Sequence, residues 1–169
     1  MGHADETTFE SFVASTGNQT FRTALLLCGD WHLAEDLTQS TYAKVFASWP
    51  KVRRADNPPA YLRTVLMNTY LSHRRLRRSS ETPSASLPDT ALPGTDPSTR
   101  LALLDGLRAL SRTDRAVLVL RYLEDRSVGD VASALGVSEG AVRNRSMRAL
   151  DRLRPLLDST TRPTPGGNR

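Results

Sequence analysis

The sequence predicts an all-α chain of two small helical domains joined by a flexible linker. Three observations carry that prediction. Apolar residues recur at three- and four-residue spacing, and no stretch alternates as a strand would. Capping residues Asp30, Ser111, Ser127 and Ser138 stand just ahead of such stretches. Residues 79–98 are rich in Pro, Ser and Thr and have no period.

The front domain is read as 6–78. Phe9, Phe12 and Val13, then Phe21, Ala24, Leu25 and Cys28, fall at helical spacing. Gly29 would stop that helix and Asp30 would cap the next. The second helix is expected to run from Trp31 to Trp49, with Tyr42, Val45, Phe46 and Trp49 as a core stripe and Pro50 ending it. Pro58-Pro59 suits the first turn of another helix, whose buried side would hold Leu62, Val65, Leu66, Thr69 and Leu76.

The rear domain is read as 99–157, with a disordered tail over 158–169 rich in Pro, Gly and Thr. Ser111 and Ser127 open capping boxes, with Asp114 and Asp130 in place of the usual Glu. Val128 to Arg145 reads as two short helices around a tight turn. Gly136 ends the first in the left-handed region, and Ser138 caps the second. Ala132 is small where the helices would cross, and Val142 faces back into the core. That is a helix-turn-helix, whose second helix would enter a DNA major groove. Val142, Ser146, Ala149, Leu150 and Leu153 would face inward, and Glu139, Gly140, Arg143, Asn144 and Met147 outward.

Charge supports a nucleic-acid partner. The chain of 169 residues carries a formal net charge of +5. Lys51, Arg53, Arg54, Arg63, Arg74, Arg75, Arg77 and Arg78 cluster in 51–78 against Asp56 alone, whereas Glu81, Asp89 and Asp96 make the linker acidic. The single cysteine, Cys28, can form neither an internal disulfide nor a Cys-rich zinc site, and it reads as a core thiol. No metal-ligand spacing, phosphate loop or nucleophile elbow appears, so neither a cofactor nor an enzyme is expected. The polar start is unlike a secretory signal, and no apolar run nears the roughly 20 residues that span a bilayer. A soluble, cytoplasmic protein without a membrane partner is expected.

Gly29-Asp30-Trp31-His32-Leu33-Ala34-Glu35-Asp36-Leu37-Thr38-Gln39, then Asn57-Pro58-Pro59-Ala60-Tyr61-Leu62-Arg63 through Asn68, and finally Val119-Leu120-Arg121-Tyr122-Leu123-Glu124-Asp125-Arg126-Ser127 leading into the helix-turn-helix, together resemble regions 2 and 4 of the extracytoplasmic-function sigma factors of bacterial RNA polymerase. The Gly-Asp-Trp-His form is similar to an actinobacterial branch. The resemblance implies an alternative sigma factor that binds core RNA polymerase and directs initiation at promoter DNA, with an anti-sigma protein as a candidate further partner. Glu35, Asp36 and Gln39 would form the polymerase-binding patch. Lys51, Arg53, Arg54, Arg63, Asn68 and Arg74 would meet the melted −10 element. Ser138, Glu139, Arg143, Asn144, Arg145, Met147, Arg148 and Arg152 would meet the −35 element. Arg143 and Asn144 suit base edges, whereas Arg145, Arg148 and Arg152 suit phosphates. The two elements would lie about 17 base pairs, or about 58 Å, apart. Tyr61, Ser72, Ala141, Arg143 and Asn144 depart from the usual family residues, which bears on promoter sequence rather than class. The rival reading is a conventional helix-turn-helix regulator acting without polymerase.

Overall fold

A computed structural model describes residues 8–73 and 94–161. The expectations for Arg74 and Leu76, most of the linker and the end of the tail lie outside these residues. Every regular element described is helical, in the order α1 (Phe9–Cys28), α2 (Trp31–Ala47), α3 (Trp49–Val52), α4 (Pro58–Ser72), α5 (Pro97–Ala109), α6 (Arg112–Leu118), α7 (Val128–Leu135) and α8 (Glu139–Thr161). A π-helical turn, Val119–Leu123, continues α6.

The caps form as the sequence implies. Gly29 ends α1 at φ 68°, and the Asp30 carboxylate accepts from the Leu33 amide at 2.9 Å. Asn57 accepts from the Ala60 amide at 3.0 Å, which sets Pro58 and Pro59 in the first turn of α4. Ser111, Ser127 and Ser138 each accept from the amide three residues on.

Four expectations are corrected. The second helix stops at Ala47, and Pro50 lies in the first turn of the separate α3, where its missing N–H costs nothing. Phe46 is 62% exposed, because the stripe's inward positions go to Tyr42 and Val45, leaving Phe46 against the edge of Phe9 at 4.9 Å. Helix α5 starts at Pro97, capped by Asp96, inside the span read as linker. Helix α8 runs on to Thr161 through Pro155, into the span read as tail.

The core has an arrangement that the linker did not foretell. A small aromatic cluster of Phe12, Tyr42, Val45, Val52 and Leu62 belongs to the front domain alone. The larger cluster is shared: Leu25, Leu27, Leu37, Leu66, Met67 and Tyr70 pack in one body with Leu107, Val117, Leu120, Val131 and Val142. Helix α4 lies along α7, and α1 meets α6 and the π-turn. Cys28 sits half-buried beside this seam. Burial pushes its thiol up to about 12, opposed mainly by Arg115 of the rear domain.

The seam is polar as well as apolar. Arg115 donates to the Leu27 carbonyl at 2.8 Å and to the Leu107 carbonyl at 2.7 Å, so one guanidinium serves carbonyls in the last turns of both α1 and α5. Arg108 donates to the Gly29 carbonyl at 3.0 Å. Arg112 lies over the Tyr70 ring at 4.9 Å and donates to the Tyr70 carbonyl. Glu124, from the turn after the π-segment, accepts from Gln19 at 3.3 Å and from the Thr23 hydroxyl.

Candidate polymerase and nucleic-acid interfaces

Helix α2 turns Ala34 and Leu37 fully inward, which leaves Glu35 and Gln39 exposed and Asp36 half-buried. Glu35 and Gln39 edge a shallow depression of about 310 Å³ with Phe21, Trp31 and Thr38. Trp31, 45% exposed, packs on Phe21 with ring centres 4.8 Å apart and donates from Nε1 to Glu35 at 3.1 Å. Sequence reasoning passed over Trp31. The signal was a large aromatic directly after the Asp30 cap, a position that a helix start exposes.

The cationic set of the front domain divides. Lys51, Arg53 and Arg54 are exposed on α3 and the turn that follows, with Lys51 5.9 Å from the Tyr61 ring centre. On α4, residues five apart point about 140° away from each other. Asn68 is exposed on the side that carries Tyr61, whereas Arg63 faces the rear domain together with Leu66, Met67 and Tyr70. Arg63 lines a cavity of about 210 Å³ between the domains, with Gln19, Thr23, Glu124 and Arg126. Burial, then the neighbouring Arg126, lowers its pKa.

Helix α8 has a clean division. Val142, Ser146, Ala149 and Leu153 are buried, Leu150 is partly so, and Glu139, Gly140, Arg143, Asn144, Met147, Arg148 and Arg152 are exposed. Arg143 pairs with Glu139 one turn earlier at 2.9 Å. Ser138 spends its hydroxyl on the cap. Arg145 differs from its expected phosphate role: its guanidinium turns inward to Asp114 of α6 at 2.8 Å, with that carboxylate only 15% exposed. The spacing hid this, because the partner lies on another helix. Beside the exposed face of α8, Arg121, Tyr122, Met147, Leu150 and Arg154 line a groove of about 250 Å³ that the sequence did not point to. No group of His, Cys, Asp and Glu suited to a metal occurs among the described residues, and no helix there is long and apolar enough to cross a membrane.

Comparison with known proteins agrees with this geometry. The family Sigma-70 region 2 matches residues 12–80, and Sigma-70, region 4 matches residues 100–153. The chain is 35% identical over 164 residues to an RNA polymerase sigma-E factor of Streptomyces avermitilis, covering 94% of this chain and 90% of the relative. It is 33% identical over 147 residues to the ECF RNA polymerase sigma factor SigL of Mycobacterium tuberculosis, covering 81% of each. Among solved structures, the sigma factor RpoE in complex with the anti-sigma factor NepR from Bartonella quintana matches with a TM-score of 0.74 at 25% identity, over 90% of this chain and 98% of that one. With both regions present in order, the chain belongs to the sigma-70 family of RNA polymerase sigma factors, in its extracytoplasmic-function branch.

Proposed function

We propose that this alternative sigma factor divides a promoter between its two domains while α2 holds it to core RNA polymerase. The observation that carries the reading is the two-sided α8. One face is wholly committed to the core, and the opposite face presents Arg143 and Asn144 with flanking Arg148 and Arg152. Arg and Asn are the side chains whose paired donors and acceptors fit guanine and adenine edges, whereas isolated cations suit phosphates. Lys51, Arg53 and Arg54, with Tyr61 and the outward Asn68, supply cations and a stacking ring for a melted −10 strand. Glu35, Asp36, Gln39 and Trp31 offer the polymerase an acidic patch with one aromatic. An anti-sigma protein is a fitting regulator, in view of the RpoE complex, and the cytoplasm is the compartment where the polymerase works. A regulator acting without polymerase would need a dimer surface or effector pocket where this chain carries region 2. The test is run-off transcription with purified core polymerase. Asp36→Arg with Gln39→Ala should abolish core binding while helical circular dichroism stays unchanged. Wild-type affinity in that double variant would remove α2 as the interface.

A further inference from the structure

The cavity of about 210 Å³ beside Arg63 is walled by three segments. Ser15, Thr16, Gln19, Thr20 and Thr23 share one face of α1, and Pro59, Leu62, Arg63 and Leu66 share one face of α4. Glu124 and Arg126 close it from the turn after the π-segment. The backbone of that turn is held on both sides of Arg126. Asp125 stands at φ 52°, the Arg126 amide donates to the Leu120 carbonyl at 2.9 Å, and the Arg126 carbonyl accepts from Arg121. The charges around the cavity do not cancel. The Glu124 carboxylate is taken by Gln19 and Thr23. No hydrogen bond or ion pair engages the side chain of Arg63 or Arg126 among the described residues, and Arg126 Nε is buried without a partner. Two guanidiniums therefore face one carboxylate, a surplus of one positive charge. They also crowd each other, since Arg126 adds to burial in lowering the pKa of Arg63. Ser15, Thr16 and Thr20 give their hydroxyl hydrogens to carbonyls of α1 itself, so the donors left for the cavity are the guanidinium N–H groups.

We propose that this cavity binds a small carboxylic acid as its anion, with the carboxylate between Arg63 and Arg126 and a compact apolar body against Pro59, Leu62 and Leu66. A guanidinium fork matches a carboxylate in both shape and charge. One carboxylate cancels the surplus charge, whereas a phosphate dianion would overshoot it beside Glu124. The volume lies below the roughly 300–1,000 Å³ of sites for drug-sized ligands. It suits an acid built on one ring or a short chain and excludes a nucleotide. Arg63 also belongs to the set given to the −10 strand, so a bound acid would occupy a guanidinium that the strand needs. That consequence rests on the proposed function; the site itself does not.

The test is titration calorimetry of the full chain with benzoate, with benzamide as its neutral twin and inorganic phosphate as an anion without an apolar body. Benzoate should bind saturably at one site. Benzamide and phosphate should each bind at least about tenfold more weakly, since each lacks one half of the match. Arg126→Gln should weaken benzoate binding by about tenfold or more with helical circular dichroism unchanged. Arg126→Lys, which keeps the charge and loses the fork, should fall between. A nitrogen-edited magnetic resonance titration of the wild type needs no variant to fold. Benzoate should move the Nε–H signals of Arg63 and Arg126 with the calorimetric midpoint and leave that of Arg143, on the outer face of α8, in place. Absence of saturable binding, equal binding of benzamide or phosphate, or shifts at Arg143 in place of Arg126 would overturn the proposal. Neither measurement contains DNA, so an error in the −10 assignment would show in transcription and leave this result standing.

Discussion

The proposed function gives both α4 and α8 a DNA strand to meet, yet the free chain treats them differently. Helix α8 gives one face to its core and leaves the whole opposite face open. Helix α4 is packed on two sides, with Leu62 in the front cluster and Leu66, Met67 and Tyr70 in the shared core, so that Arg63 is caught in the seam while Asn68 faces out. On the proposed reading, the −35 face is therefore ready as it stands, and the −10 face is only partly presented. A helix that packs on one neighbouring layer can dedicate a face to a ligand; a helix that joins two layers cannot.

The strongest challenge to this contrast is thermodynamic. Val142→Asp buries a carboxylate without a partner in the rear domain and should cost at least about 3 kcal/mol. Both tryptophans, Trp31 and Trp49, are in the front domain. If the core is shared in energy as well as in space, a thermal melt followed by tryptophan emission should shift downward in this variant. An unmoved front-domain transition would mean that the domains melt independently.

The open face of α8 is tested at smaller magnitude. Arg143→Ala should lose roughly 1–3 kcal/mol at one or two base positions, read as altered preference in a library of −35 variants. Arg148→Ala should lower all variants alike and reduce the salt slope by about one. A uniform loss for Arg143→Ala would make it a backbone contact. Arg145→Ala sharpens the division within the same helix. With its guanidinium paired to Asp114, the change should cost about 1 kcal/mol of stability and leave the salt slope of DNA binding unchanged.

The smallest effect concerns pH at the seam. Burial raises the Glu124 carboxyl above its usual range, opposed by the Gln19 amide and by Arg126, Arg63 and Arg22. A carboxyl so raised contributes stability that is complete below the ordinary carboxylate value and fades as pH rises through the raised one. Acidification should therefore tighten docking, seen as a slightly higher melting temperature relative to a Glu124→Gln control, which should lack this component. An equal pH response in both proteins would take Glu124 out of the seam's titration.

What the sequence disclosed was local, and what it withheld was long-range. The caps at Asp30, Ser111, Ser127 and Ser138, the left-handed Gly136 and the division of α8 each depend on neighbours within four residues, so spacing reveals them. Phe46 misled because a four-residue stripe is wider than the face that α1 covers. The docking seam was hidden because its members lie far apart in the chain: Leu66 reads as the core of α4 alone, and local spacing singles out none of Tyr70, Arg108, Arg112 and Arg115. The inward turn of Arg145 was hidden for the same reason. The exposed edge of α2 was legible in the spacing of Glu35 and Gln39, whereas the flanking Trp31 needed the geometry of the helix start.

Cys28 carries one more consequence. The thiolate, not the thiol, reacts with peroxides and electrophiles. Burial holds the only sulfhydryl of the chain far toward the neutral thiol at neutral pH. Cys28 is therefore a poor entry point for oxidants, and its place is that of a packing residue beside the seam.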